Sequence, residues 1–279
     1  MGKLIIYNQS GYFYHVSIQI YTMLKEQMDE SKIELINCNT NHTFDNNNIY
    51  LLFIPPKMNT PKKYIVYNFE QFTTDKVWEE SYFVFLKKAM YVFDYSLMNV
   101  LIEHSKNINS YFLPYHIDKI YRYPGLTGEN FEKDIDVLFI GNLNHRRKEW
   151  LKNLTDNNIN FKIITNVFYE NSIEYFARSK ILLNIHFYSG ESILEVTRII
   201  PAIVNNCIVL SETSHDSYYN DIYSNIIKIT SIDTLIEDIK NILNNYNRLT
   251  IEYNNNIEKL YSLNTNDNNN LIKYINNII

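Results

Sequence analysis

Short apolar runs alternate with longer amphipathic stretches along almost the whole chain. The runs at 3–7, 33–37, 49–54, 63–68, 90–93 and 110–113 predict strands, as do those at 136–140, 161–165, 181–185, 207–210 and 226–229. Between them, 16–28, 74–88, 96–106, 147–157, 171–179, 192–204, 216–222 and 232–244 show the spacing of helices with one apolar face. The last stretch, 251–279, reads as helix interrupted by the polar run 264–270. Strands this apolar, separated by helices, predict parallel sheets with helices on both faces.

The alternation pauses once. Residues 114–133 hold Pro114, Pro124, Gly125 and Gly128 and show no clear period, which marks a linker. The fold class expected is therefore α/β, with two doubly wound, Rossmann-like domains facing across a cleft. The expected boundaries are 1–118 for the first domain, 119–133 for the linker, 134–262 for the second domain and 263–279 for a C-terminal helix. Each half is close to the usual size of one domain.

Composition narrows the class. Hydrophobic residues make up 46% of the 279, enough for packed cores rather than a disordered chain. A net charge of −5 argues against a surface for duplex nucleic acid, so no nucleic-acid partner is expected. Cys38 and Cys207 are far apart in apolar context, which is neither a disulfide framework nor a zinc spacing. No apolar run approaches the ~20 residues that span a bilayer, and the opening residues are too briefly apolar for a signal peptide. A cytoplasmic protein is expected, in the infected cell if the chain is viral. Asn, Ile, Tyr and Lys are abundant, as an AT-rich coding sequence would make them, so any single Asn or Tyr carries little weight. The scarce residues tell more. Gly11, Gly141 and Gly190 each follow an apolar run, Arg146 and Arg147 are adjacent, and Arg198 lies in an apolar pattern beside Glu195.

Candidate chemistry gathers at strand ends in the second half. Asp136 to Lys148 reads as a strand, a glycine turn at Gly141 and a basic helix start at Arg146–Arg147. Basic side chains at a positive helix end repel its dipole unless an anion lies there; the alternative is a solvated basic turn. Glu195 and Arg198, three apart within 192–204, fall on one face of a mostly apolar helix. Buried charges need a partner or a ligand, so these two either grip a ligand or pair with each other. His186 follows a buried strand directly, where open α/β sheets bind ligands, with Tyr188 and Glu191 close behind. In the first half, Gly11 with His15, Glu70, and Asp94 mark three polar strand ends, each of which could also be a plain turn or cap. His15, Glu70 and Asp94 are the groups that could take a hydroxyl proton. Asp134-Ile-Asp136 matches a metal-binding Asp-x-Asp but precedes its strand, at the wrong end of the sheet. The Asn153 sequon has no secretory context.

These phrases, in this order, resemble GT-B-fold glycosyltransferases of a branch found in bacteria and large DNA viruses, of the group 1 or spore-maturation type. The resemblance runs through Tyr67-Asn68-Phe69-Glu70-Gln71, Phe93-Asp94-Tyr95-Ser96 and Phe112-Leu113-Pro114 in the first half. It continues through residues 136–141 with Arg146-Arg147, residues 183–188, Ile193 to Arg198, and Val209-Leu210-Ser211-Glu212. It implies a nucleotide-diphosphate sugar donor, a UDP-sugar first among them, held by the second domain. It implies transfer to a glycan, glycoprotein or other hydroxyl acceptor on the first domain, without cofactor or metal. The last helix would cross back to the first domain. Gly141, Arg146, Arg147 and Arg198 would lie at the diphosphate, Glu195 at the ribose, Val167 and Phe168 at the base, and Gly11, His186, Tyr188 and Glu191 about the donor. One departure stands out. Many retaining members carry a second glutamate eight residues before the one matched by Glu195, and that position is Phe187 here. The resemblance therefore brings no retaining mechanism with it, and Glu191 is the candidate replacement acid. The alternative reading is a non-catalytic nucleotide-sugar or glycan binding protein on the same fold.

Overall fold

The structure is a computed structural model describing residues 2–37, 41–57, 59–72, 79–126, 132–167, 170–261 and 271–275. Two compact units emerge, one from residues 2–115 with 271–275 and the other from 116–261.

The first unit is a six-stranded sheet, β1 (Leu4–Asn8), β2 (Ile33–Asn37), β3 (Ile49–Leu52), β4 (Tyr64–Asn68), β5 (Tyr91–Asp94) and β6 (Ser110–Phe112), with α1 (Tyr14–Lys25), α2 (Glu80–Lys88) and α3 (Leu97–Ser105). Every strand pair is parallel, in the order β2-β1-β3-β4-β5-β6. All five residues of β1 and of β4 are buried, as strands covered on both faces require. The chain leaves β1 for one side and returns to β3 on the other. The carboxyl ends of β1 and β3 therefore form a topological switch point, the place where open sheets bind ligands. Residues 271–275 are helical, and the Tyr274 ring stands 5.1–5.9 Å from those of Tyr91, Phe93 and Tyr111. The rest of the C-terminal helix expected from 263, and residues 74–78 of the helix expected at 74–88, lie outside the described residues.

The second unit holds β7 (Ile135–Ile140), β8 (Phe161–Ile164), β9 (Ser179–Asn184), β10 (Ile208–Ser211) and β11 (Lys228–Ile229). Its helices are α4 (His145–Asp156), α5 (Glu170–Arg178), α6 (Val196–Val204), α7 (Ser217–Ile222), α8 (Leu235–Asn244) and α9 (Tyr246–Tyr261). The sheet is again all parallel, in the order β11-β10-β9-β7-β8, and its switch point lies between β7 and β9. Residues 116–126, read from the sequence as the end of the first domain and the start of a linker, pack within this unit. Asn205 at the end of α6 donates to Tyr121 O at 2.7 Å and accepts from Tyr123 N at 2.7 Å, and Tyr121 is fully buried. Lys133 Nζ donates to Ala177 O, Ser179 O and Asn205 O, so one ammonium closes the carboxyl ends of both α5 and α6.

Two carboxyls are buried together in the first unit. Asp94 ends β5 and Glu103 lies on α3, and both are inaccessible to solvent. Asp94 is enclosed by donors: Asn68 Nδ2, Asn99 Nδ2 and the Ser96 N–H. Burial raises both carboxyl pKa values, and the Glu103 charge raises that of Asp94 further, so the pair keeps a proton above the ordinary carboxylate range. The unfolded chain releases that proton at lower pH than the folded chain does. Folding stability therefore falls as pH rises from the ordinary carboxylate range toward the raised one. The Glu103→Gln variant flattens this slope, leaving the part that burial of Asp94 supplies, and is more stable than the parent by about 2 kcal/mol near neutral pH, as read by denaturant melts at several pH values.

Candidate functional site

The richest cluster of charge forms at the second unit's switch point. Gly141 follows β7 with φ +146°, a conformation that favours glycine. A Cβ there would stand 3.1 Å from Arg198 Nη2 and 3.4 Å from Arg147 Nη1, so the missing side chain lets two guanidinium groups approach the strand end. Next, Asn144 caps α4, its Oδ1 accepting from Arg147 N at 2.9 Å. Arg147 then turns inward and is only 2% exposed. Its Nε and Nη2 donate to Ile185 O at 3.0 and 2.7 Å, and its Nη1 donates to Asn142 O at 2.8 Å. The guanidinium lies between the rings of Phe139 and Phe187, 5.4 and 5.2 Å from their centroids. Burial first, and the Arg198 charge next, depress its pKa, while Glu195 opposes the fall. Three hydrogen bonds to two carbonyl oxygens still favour the cation.

At the end of β9, the Asn184 amide serves three partners. Its Oδ1 accepts from Arg198 Nη1 at 2.8 Å, and its Nδ2 donates to Glu195 Oε2 at 2.9 Å and to Ser211 Oγ at 3.0 Å. Glu195 meets His186 Nδ1 at 2.9 Å and Arg147 Nη2 at 3.8 Å. Burial pushes the Glu195 carboxyl up, but His186, Arg198 and Asn184 outweigh it and bring the pKa to about 2. His186 faces acceptors on both sides, with Glu195 Oε2 at Nδ1 and Thr213 O at Nε2, 3.1 Å away. Both ring nitrogens must donate, so this geometry calls for the imidazolium. Burial opposes that form, and the Glu195 carboxylate overrides it and raises the His186 pKa. Arg146 pairs with Glu212 and donates to His186 O at 2.9 Å, while Glu212 Oε2 accepts from His186 N at 2.7 Å. Four cations thus stand against two carboxylates, and the site carries an excess of positive charge out of bulk water. Stability from the charged His186 is complete at and below the ordinary histidine range and is lost as pH climbs through the raised value. A parent protein that melts lower on the alkaline side, and a His186→Gln variant without that decline, are the expected results of melts across neutral pH.

Five of the residues singled out from the sequence here, Arg146, Arg147, His186, Glu195 and Arg198, are joined in one network, and Gly141 lies against it. One expectation about them is corrected. Glu195 and Arg198 do not share a helix face, because α6 begins at Val196 and not at 192. Ser192 O accepts from His215 N at 2.9 Å, so the backbone before Glu195 is taken by a neighbouring loop. Glu195 therefore precedes the helix and points to His186, and among the described residues Arg198 has no carboxylate within ion-pair distance. Asn184 and Glu212, quoted in the sequence phrases but given no site role there, complete the network. Tyr188 is half-buried and meets Phe187 edge-on, Glu191 is exposed, and Val167 is half-buried after the β8 end. Phe168 lies outside the described residues.

In the first unit, Gly11 opens a short 3-10 turn after β1, capped by Ser10, and His15 follows in α1, half-buried and edge-on to Tyr14. Glu70, half-buried, follows β4; its N–H donates to Asn68 Oδ1, and its carbonyl accepts from Asn99 Nδ2 at 2.7 Å. The enclosed Asp94 holds this loop in place through Asn68 and Asn99 and presents no oxygen to solvent. Asp134 and Asp136 pair with Arg178 and Lys180. Among the described residues, no three His, Cys, Asp or Glu side chains gather as a metal site, and no helix is long and apolar enough to cross a membrane.

No protein-family model matches the sequence, and no curated protein sequence matches it. Solved structures do. WaaG, a glycosyltransferase involved in lipopolysaccharide biosynthesis, is similar over 100% of this chain and 99% of its own, with TM-score 0.55 and 12% identity. HepE of Anabaena, in complex with UDP, is similar over 99% of this chain and 100% of its own, with TM-score 0.53 and 10% identity. BGT of phage T4, in complex with UDP and Mn2+, is similar over 98% of this chain and 99% of its own, with TM-score 0.57 and 10% identity. With both parallel sheets matched over the whole chain, the protein has the fold of the GT-B glycosyltransferases.

Proposed function

We propose that the protein transfers a sugar from a nucleotide-diphosphate sugar, a UDP-sugar first among them, to a hydroxyl of a glycan or glycoprotein. The observation that carries this reading is the excess positive charge at the β7–β9 switch point. Uncompensated buried charge is costly, and a diphosphate offsets it. In this reading Arg198 is the principal diphosphate contact, since one amino group is committed to Asn184 and the other faces the Gly141 gap. Each nitrogen of the Arg147 guanidinium is bonded to a carbonyl, and the group acts on the phosphates through space. Arg146 is held by Glu212 and braces His186. Glu195 takes the ribose hydroxyls with the carboxylate that His186 and Asn184 both hold through Oε2.

The reaction needs one proton moved and one bond broken. The acceptor hydroxyl attacks the anomeric carbon and gives up its proton, and the bond from that carbon to the diphosphate oxygen breaks. The charge released on the diphosphate meets Arg198 and Arg147, which are already in place and need no reorganisation. Glu70 and His15 are the candidates for the proton, because the enclosed Asp94 has no open oxygen. Two nucleotide complexes among similar folds, HepE with UDP and BGT with UDP and Mn2+, favour uridine without deciding the metal.

Incubating the purified chain with UDP-, GDP- and dTDP-sugars, with and without EDTA, tests the reading. Slow release of the nucleoside diphosphate, unchanged by EDTA, is expected. Neither binding nor turnover across the panel contradicts it. The enclosure of Asp94 also favours a second reading, a binding protein without chemistry. That reading predicts ligand binding that survives replacement of Glu70 and His15, and no product with any acceptor.

A further inference from the structure

Phe187 is 39% exposed, although it joins His186, which is buried, to the half-buried Tyr188. A single exposed phenylalanine on a protein surface is ordinary. This one is fastened at three points. The Arg147 guanidinium covers one face of its ring, 5.2 Å from the centroid. Its carbonyl accepts from Asn144 Nδ2 at 2.6 Å, and Tyr188 meets its ring edge-on at 5.2 Å. The backbone just before it is pinned by Glu212 at His186 N and by Arg146 at His186 O. An apolar ring held this firmly, with a cation over it and 39% of the residue still exposed, is preorganised for a flat ligand surface.

We propose that the exposed part of the Phe187 ring is the platform on which the donor's sugar ring lies, so that the site takes a hexopyranose by its C–H face. This rests on the reading of the cluster as a donor diphosphate site. Phe187 touches Arg147, which itself borders the Gly141 gap where Arg198 reaches in. A ring stacked on Phe187 is therefore close to the diphosphate. The sugar is bonded directly to the diphosphate, whereas the base is separated from it by the ribose assigned to Glu195. The C–H face of a pyranose is its apolar surface, and laying it on an aromatic ring removes apolar area from water without costing a hydroxyl its partner. Phe187 is then a specificity-determining residue that holds the anomeric carbon in place while taking no part in proton transfer.

Calorimetric titration of the parent, Phe187→Ala and Phe187→Tyr with UDP-glucose, UDP and inorganic pyrophosphate tests this. Phe187→Ala is expected to bind UDP-glucose roughly 5- to 20-fold more weakly, with UDP and pyrophosphate affinities unchanged and Phe187→Tyr close to the parent. Equal weakening for UDP and UDP-glucose overturns the proposal, because the ring would then serve the base or merely hold Arg147. Undiminished UDP-glucose affinity in Phe187→Ala overturns it while leaving the donor site standing. A parent that binds none of the three probes overturns both.

Discussion

Replacing Glu195 by glutamine lowers folding stability by about 3–5 kcal/mol, the usual cost of stranding buried charge. The substitution keeps the shape and one acceptor oxygen, but it removes the negative charge on which three cations depend. His186 loses the partner that keeps it protonated, Arg147 loses its nearest carboxylate, and Arg198 loses the charge held just beyond the Asn184 amide. His186 then sheds its proton and gives up one of its two hydrogen bonds. The measurement is denaturant unfolding of Glu195→Gln, His186→Gln and the double variant. The double variant should lose clearly less than the sum of the two singles, because both act on one coupled pair. Additive losses would show that the two side chains do not depend on each other.

Arg198→Met shows the opposite pattern. Its stability changes by no more than about 1 kcal/mol, since an excess buried charge leaves along with one hydrogen bond to Asn184. Its affinity for a nucleoside diphosphate falls by about 2–4 kcal/mol, or roughly 30- to 700-fold, as expected when charge-assisted contacts to phosphate are lost. The contrast separates two kinds of charged residue in one cluster. Arg147 is committed inward and holds the strand ends together, whereas Arg198 keeps donor capacity beyond its one protein partner. A variant that lost stability and kept affinity would make Arg198 a structural residue instead.

The sheets were legible because each strand is a short run of apolar residues bounded by polar ones, and burial on both faces leaves little doubt between strand and helix. Strand ends moved by no more than two residues, since the last hydrogen bond of a parallel strand depends on its neighbour's length. The start of α6 was not legible. Ile193, Leu194 and Val196 fit a helical face as well as they fit an extended segment, and the deciding contact comes from His215, more than twenty residues away. Asn184 was hidden in a chain where asparagine is abundant for reasons of composition. Glu212 was visible at a strand end, but its pairing with Arg146 joins residues 66 positions apart. Asp94 looked like Glu70 in the sequence, a carboxyl at the end of a strand; only the fold brings Asn68 and Asn99 around it. The strand–glycine–helix pattern at Gly141 was readable because the positive φ after the strand favours glycine and the two guanidinium groups leave little space beside it.

The central claim is that the β7–β9 switch point holds a nucleoside diphosphate through Arg198. Calorimetric titration of UDP into the parent and into Arg198→Met, at low ionic strength and in EDTA, tests it most directly. The expected result is saturable one-to-one binding by the parent and a loss of at least about 30-fold in the variant, with both proteins unfolding at similar denaturant concentrations. Absence of binding by the parent, or equal affinity in the two proteins, would contradict the claim.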